Sequence, residues 1–231
     1  LLKYASDNDL KINISTNATR LREEVIESII DTRINCIELS LYTLKRSLFN
    51  KLVGIEVFDE VLSNIHAFLS RAEESGFGGS IRLRPFDLFV DELHSYEKEF
   101  YSRYKGLNFE RKEPKQIRNW GGCLQSLLSE KIYVHKPCSS PFERLAIDWD
   151  GEVRVCCQAM LRKDLTVGYV RTYCDLHRVW HGAEISRLRE DFLKLKYDRY
   201  PLCRQCLDSR KYINIPPKML LRASFITNVA L

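Results

Sequence analysis

The chain has 231 residues, of which 45% are hydrophobic and 29% charged, a composition that supports one large or two modest domains with their own cores. Its formal net charge of +5 is dispersed, without a basic block or an aromatic RNA-binding motif, which argues against nucleic acid as a partner. No apolar run approaches the length of a membrane span and no charged segment followed by an apolar one opens the chain, so no membrane association or secretion is expected, and a cytoplasmic location is.

Eight cysteines in a chain of that kind point to metal ahead of disulfides. The chain begins with Leu1 instead of Met, which leads us to expect that sequence upstream has been removed or was never included. From Leu1 to about Gly122 short strands alternate with helices. Lys11-Ile-Asn-Ile-Ser15 predicts a strand, and Leu21, Val25, Ile26, Ile29 and Ile30 recur at helical spacing after it. Cys36-Ile-Glu-Leu-Ser40 is the next strand, followed by a helix striped with Phe58, Val61, Leu62, Ile65, Phe68 and Leu69. Ser80-Ile-Arg-Leu-Arg84 precedes a helix carrying Leu93, Tyr96, Phe100 and Tyr104, and Leu107-Asn-Phe-Glu-Arg111 reads as a fourth strand. Strand-helix alternation of this kind predicts a parallel sheet and an α/β fold.

Parallel strands buried on both faces are continuously apolar, whereas these alternate. If Ile12, Ile14, Ile37, Leu39, Ile81, Leu83, Leu107 and Phe109 face the helices, the other face carries Asn13, Ser15, Cys36, Glu38, Ser40, Arg82, Arg84, Asn108 and Glu110. So polar a face suits a curved sheet or partial barrel around a polar ligand and water; an open sheet with one solvated face is the alternative.

The C-terminal part is organised by cysteines. Twelve residues separate Cys138 from Gly151, four more lead to Cys156, and the chain closes the set with Cys203-Arg-Gln-Cys206. Asp150-Gly151 between two alternating runs predicts a hairpin that brings Cys138 and Cys156 towards one end. A C-x2-C pair plus two further cysteines also describes a structural zinc site, while iron-sulfur clusters accept more scattered thiolates. Spacing alone leaves cluster and zinc equally open.

The run from Cys138-Ser-Ser-Pro-Phe through Ile147-Asp-Trp-Asp-Gly-Glu-Val-Arg-Val-Cys156-Cys157, then Gly168-Tyr-Val, Val179-Trp-His-Gly, Leu188-Arg189 and Leu202-Cys-Arg-Gln-Cys206, resembles the C-terminal SPASM or twitch domain of radical S-adenosylmethionine enzymes. The full SPASM pattern has three more cysteines after the position of Cys206, absent here, so the likeness is to the single-cluster twitch variant. It implies that Cys138, Cys156, Cys203 and Cys206 hold one auxiliary 4Fe-4S cluster, with Cys157 as an alternative ligand. The first half is similar to the barrel of the same family: Asn13-Ile-Ser-Thr-Asn17 resembles its third strand, Cys36-Ile-Glu-Leu-Ser40 its fourth, and Trp120-Gly-Gly its end. The resemblance thus implies the later strands of a partial (β/α)6 TIM-like barrel over residues 1–128 and a small α+β auxiliary-cluster domain over residues 129–231.

Asn17, Ser40, Arg82 and Arg84 become candidate cofactor-binding residues. The implied function is that of an oxidoreductase or maturase in which a deoxyadenosyl radical abstracts hydrogen from a peptide, sugar or aminocyclitol, with a flavodoxin or ferredoxin as reductant. The auxiliary cluster would accept an electron or position the substrate. The family's C-x3-C-x2-C loop, which holds a second 4Fe-4S cluster and S-adenosyl-L-methionine, is not spelled by these cysteines, so the chain as given is expected to be inactive. The alternative is a non-catalytic iron-sulfur or zinc module for electron transfer or peptide binding.

Each candidate also has a plainer explanation. Asn17 and Ser40 are favoured at strand ends as turn formers and caps. Arg82 and Arg84 can pair with Glu38 or Glu110. Cys36, Cys123 and Cys174 lack ligand spacing and are expected to be small buried hydrophobes, and packing is expected of His66, His177 and His181.

Overall fold

The computed structural model describes residues 2–83, 85–86, 91–111, 137–161, 165–204 and 206. The backbone divides into two units, Leu1–Ile117 and Arg118–Leu231; the boundary expected at 128/129 falls outside the described residues. Among the described residues no helix is long and apolar enough to cross a membrane.

The first unit runs α1 (Leu2–Asp7), β1 (Asn13–Thr16), α2 (Glu23–Asp31), β2 (Cys36–Leu39), α3 (Arg46–Val53), α4 (Phe58–Glu74), β3 (Ser80–Leu83) and α5 (Leu93–Tyr96), which continues into a π-helical turn, Glu97–Tyr101. The strands are parallel in the order β1-β2-β3, as alternation with helices dictates. Ile14, Ile37 and Ile81 stand in one cross-strand row, and Ser15, Glu38 and Arg82 in the next. Ile37, Leu39, Ile81 and Leu83 are buried with Ile26 and Ile29 of α2 and Val61, Ile65, Phe68 and Leu69 of α4, so the apolar face is the helix-covered one. Val25, at helical spacing with that stripe, is instead exposed.

The expected fourth strand shrinks to one parallel bridge between Ile81 and Phe109. Ile81 N–H donates to the Asn108 carbonyl at 2.9 Å and Glu110 N–H to the Ile81 carbonyl at 2.9 Å. A local bond from Phe109 N–H to the Leu107 carbonyl (3.1 Å) curls the segment, leaving one residue pair alongside β3. The helix expected to carry Leu93, Tyr96, Phe100 and Tyr104 is the α5 segment and its π turn: Tyr96 and Phe100 are fully buried, whereas Leu93 is exposed. Buried Asn50, within α3, ties that helix to the start of α4 by accepting the Val57 and Phe58 N–H groups at 3.1 and 3.0 Å. Buried Glu92 accepts Thr43 Oγ1 (2.6 Å) and the Leu44 N–H (2.5 Å), clasping the loop after β2 to the start of α5.

The second unit runs α6 (Ser140–Glu143), β4 (Ala146–Ile147), β5 (Glu152–Arg154), a 3-10 turn Cys157–Leu161, β6 (Thr166–Tyr169), α7 (Tyr173–Trp180), α8 (Ala183–Leu193), a 3-10 turn Tyr197–Arg199 and α9 (Pro201–Arg204). Its sheet is antiparallel in the order β4-β5-β6. The hairpin forms where Asp150-Gly151 predicts it, but with a three-residue loop. Asp148 N–H donates to the Glu152 carbonyl at 2.8 Å, Gly151 N–H donates to the Asp148 carbonyl at 3.0 Å, and Gly151 takes the left-handed conformation at φ +86. A Cβ at Gly151 would lie 2.3 Å from the Val170 carbonyl oxygen. Behind the sheet, Val153, Val155, Val167, Val179, Ile185, Leu188 and Phe192 form the core against which the cysteines lie.

Candidate metal centre

Cys138 precedes α6, Cys156 follows β5, Cys203 belongs to α9 and Cys206 lies just beyond it. All four are thiols and none is in a disulfide. Cys203 is part of the second unit's core, Cys138 and Cys156 pack against it, and Cys206 is buried. One side chain links the set. Tyr197, itself buried, accepts the Cys138 backbone N–H on its hydroxyl oxygen at 3.1 Å, and Cys138, Cys203 and Cys206 all lie close enough to act on that hydroxyl. Burial, and then those sulfurs, raise the Tyr197 pKa, while the Cys138 N–H opposes the rise.

Cys156 joins the group through Cys138. Burial pushes its thiol pKa up, the Ala159 and Gln158 N–H groups pull it down, and Cys138 and Cys157 raise it further. The two N–H donors come from the 3-10 turn that begins at Cys157, so the turn converts backbone dipoles into a cradle for a thiolate at Cys156. Cys157, the alternative ligand, turns its side chain to solvent.

The donor set fits a metal centre. Soft thiolates suit iron-sulfur clusters and zinc alike. Two buried polar atoms beside the ligands, Ser139 Oγ and Gln158 Oε1, have no hydrogen-bond partner among the described residues. Such orphans are uncommon and mark a site that other groups complete.

Asp148, Asp150 and Glu152 form a further group of potential ligands, and it is compensated from within. Arg154 donates Nη1 to Asp148 Oδ2 at 3.0 Å and Nη2 to Glu152, Thr166 Oγ1 also donates to Glu152, and Asp150 Oδ1 accepts the Glu152 N–H at 3.0 Å. Nearby, buried Arg189 donates Nε to the Pro141 carbonyl (2.8 Å) and Nη1 to the Trp180 carbonyl (2.9 Å), tying the Cys138 loop to the helices. Burial lowers its pKa to about 10.

In the first unit Asn17 and Ser40 follow the C-terminal ends of parallel strands β1 and β2, the side on which open α/β sheets bind ligands. Ser40 follows β2 and its N–H donates to the Thr16 carbonyl at 2.8 Å, extending the ladder. Asn17 follows β1 and accepts the Thr19 N–H (3.2 Å) and Oγ1 (2.8 Å), a turn-forming role. Ala18, fully buried, comes next at φ 62, a strained conformation for a residue with a Cβ. Arg82 is held bidentately by Glu110, Nε to Oε2 at 2.8 Å and Nη2 to Oε1 at 3.2 Å, with Ser80 Oγ on the same carboxylate at 2.6 Å. Arg84, Cys123 and Trp120-Gly-Gly lie outside the described residues.

Cys36 is buried as expected, but Cys174 is exposed on α7, because the inward side of that helix is taken by Val179 and Asp175. His66 packs between Tyr104 Oη (2.8 Å to Nδ1) and Glu99 Oε1 (3.0 Å to Nε2). His177 and His181 are exposed with ring centroids 4.3 Å apart. Sequence reasoning missed Tyr197. Its partner is 59 residues away, and the one available signal is a tyrosine, apolar with a polar tip, shortly before a C-x2-C pair.

Residues 138–207 match the SPASM iron-sulfur cluster-binding domain. A segment of 64 residues is 33% identical to the uncharacterized protein MJ0804 of Methanocaldococcus jannaschii, covering 28% of this chain and 22% of that protein. The match thus spans about a fifth of the curated relative's length. A solved structure, polyhistidine-tagged anSMEcpe with bound AdoMet, aligns over 96% of this chain and 76% of its own, at 16% identity and a TM-score of 0.48. The resemblance carried by the cysteine-bearing half is borne out to the extent that residues 138–207 match a model of iron-sulfur cluster-binding domains.

Proposed function

We propose that the chain is part of a radical S-adenosylmethionine oxidoreductase or maturase, and that Cys138, Cys156, Cys203 and Cys206 hold one auxiliary 4Fe-4S cluster. The observation that carries this is the gathering of four thiols from separated segments around Tyr197 and Cys138, within residues that match an iron-sulfur cluster-binding domain. When bound, the cluster supplies one-electron chemistry, accepting an electron from substrate or holding substrate in place.

The chain's own residues do the rest. Gln158 and Ala159 N–H groups favour the thiolate of Cys156, the core behind Cys203 excludes water, and Arg189 fixes the loop that carries Cys138. In the first unit, Asn17, Ser40, Arg82 and Arg84 are proposed to bind S-adenosyl-L-methionine, with Glu110 keeping Arg82 charged and oriented. The implied reaction is hydrogen abstraction by a deoxyadenosyl radical, with a flavodoxin- or ferredoxin-type reductant.

The test is anaerobic purification or reconstitution followed by iron and sulfide counts. Four irons and four sulfides per chain are expected, falling at least several-fold in Cys203→Ser and holding in Cys174→Ser. Stoichiometric zinc with no cluster absorbance, in protein never exposed to oxygen, would refute the assignment.

A further inference from the structure

Tyr197 has a place in this centre that its packing alone does not require. A phenol hydroxyl can accept and donate at once, and a buried tyrosine normally satisfies both ends. The acceptor side takes the Cys138 N–H at 3.1 Å. The hydroxyl thus sits at the backbone of one ligand, and Cys138, Cys203 and Cys206 all lie close enough to act on it. The ring is fixed by Phe192, 4.8 Å between centroids, so the hydroxyl's position is set by the core. Buried Ser139 Oγ, on the residue after Cys138, has no hydrogen-bond partner among the described residues, a second mark of a site completed by another group.

We propose that Tyr197 is a positioning residue of the iron-sulfur centre, accepting the Cys138 N–H while donating its own O–H to a cysteinate of the set, and that this bond raises the centre's reduction potential. The inference rests on the cluster assignment above. Its physical basis is that reduction adds negative charge to an already anionic group, so a donor aimed at a ligand sulfur stabilises the reduced form more than the oxidised one. The backbone donors on Cys156 act in the same sense.

Tyr200 supplies the control. It packs on the same Phe192, at 5.4 Å, but its hydroxyl donates to Asp191 Oδ2 at 3.0 Å and no cysteine is among the charges acting on it. The experiment is a redox titration followed by electron paramagnetic resonance, on the anaerobically reconstituted full chain, for wild type, Tyr197→Phe and Tyr200→Phe. Tyr197→Phe is expected to keep the iron and sulfide count while its potential moves negative and its spectrum changes; Tyr200→Phe should match wild type. Should Tyr197→Phe fail to load, 3,5-difluorotyrosine placed at position 197 keeps the hydroxyl and makes it a stronger donor, and the potential should then move positive. A loaded centre whose potential and spectrum do not move with either change overturns the inference and leaves the cluster assignment standing. Wild-type chain that takes up no iron and sulfide overturns both.

Discussion

Removing the guanidinium of Arg154 would strand a carboxylate that has nowhere to go. Glu152 and Arg154 are each 3% exposed, and Glu152 faces Arg154 and Thr166 inside the hairpin. Breaking a buried pair by deleting one partner is far more costly than replacing both. Arg154→Leu is therefore expected to lower stability by about 3–5 kcal/mol in urea unfolding, and adding Glu152→Leu should recover much of that loss. A double variant as unstable as the single one would show that the pair is not the source. Nothing in Glu152-Val-Arg-Val155 announces this pairing, since alternation is the same for a solvated strand as for one whose polar face is covered. Arg82 was more legible: a cation and an acid on facing strand positions could be matched from periodicity, and Glu110 is its partner. Tyr197 was not, because its role depends on a contact 59 residues away.

Local chemistry decides which elements could be anticipated. The hairpin at Asp150-Gly151 was legible because a left-handed glycine makes the turn, whatever lies around it. The fourth strand was not, because its shortening to one bridge is decided by how Leu107–Phe109 curls against β3. Helix α7 offers a test at this scale. Asp175 accepts the Arg171 and Thr172 N–H groups, each at 2.9 Å, and Thr172 Oγ1 at 3.2 Å, forming the carboxylate half of a capping box. Those backbone bonds, led by Arg171 and then Thr172, hold its pKa below the usual carboxylate value. A depressed folded pKa means stability that is present above the unfolded value, about 3.9, and lost as pH falls through the folded one. Asp175→Ala should therefore melt below wild type at neutral pH, with the gap closing as pH drops below about 4. A gap that stays constant to strong acid would assign the loss to packing instead of the carboxylate.

Across the whole molecule, the two halves were legible for different reasons. The parallel sheet followed from periodicity, while the cysteine set followed from a resemblance, since spacing left zinc and cluster equal and what favours the cluster is the match of residues 138–207 to an iron-sulfur cluster-binding domain. The remaining question of activity is one of coordination. Cleaving S-adenosyl-L-methionine by the proposed chemistry needs an iron with an open position, which three cysteines leave and four do not. The eight cysteines contain no C-x3-C-x2-C spacing, and the four that gather near Tyr197 would fill every corner of their own cluster. Strand β1 also has a partner on one edge only among the described residues, β2, and an open strand edge invites association. This chain of 231 residues is therefore expected to release no methionine or deoxyadenosine under strong reductant, even with its auxiliary cluster fully loaded. A version extended upstream to include a C-x3-C-x2-C loop should do so, with less self-association in sedimentation. Turnover by the chain alone would mean that one of the four thiolates is not a ligand and that the cluster it leaves open is the catalytic one, which iron counts on Cys138→Ser, Cys156→Ser and Cys206→Ser would then identify.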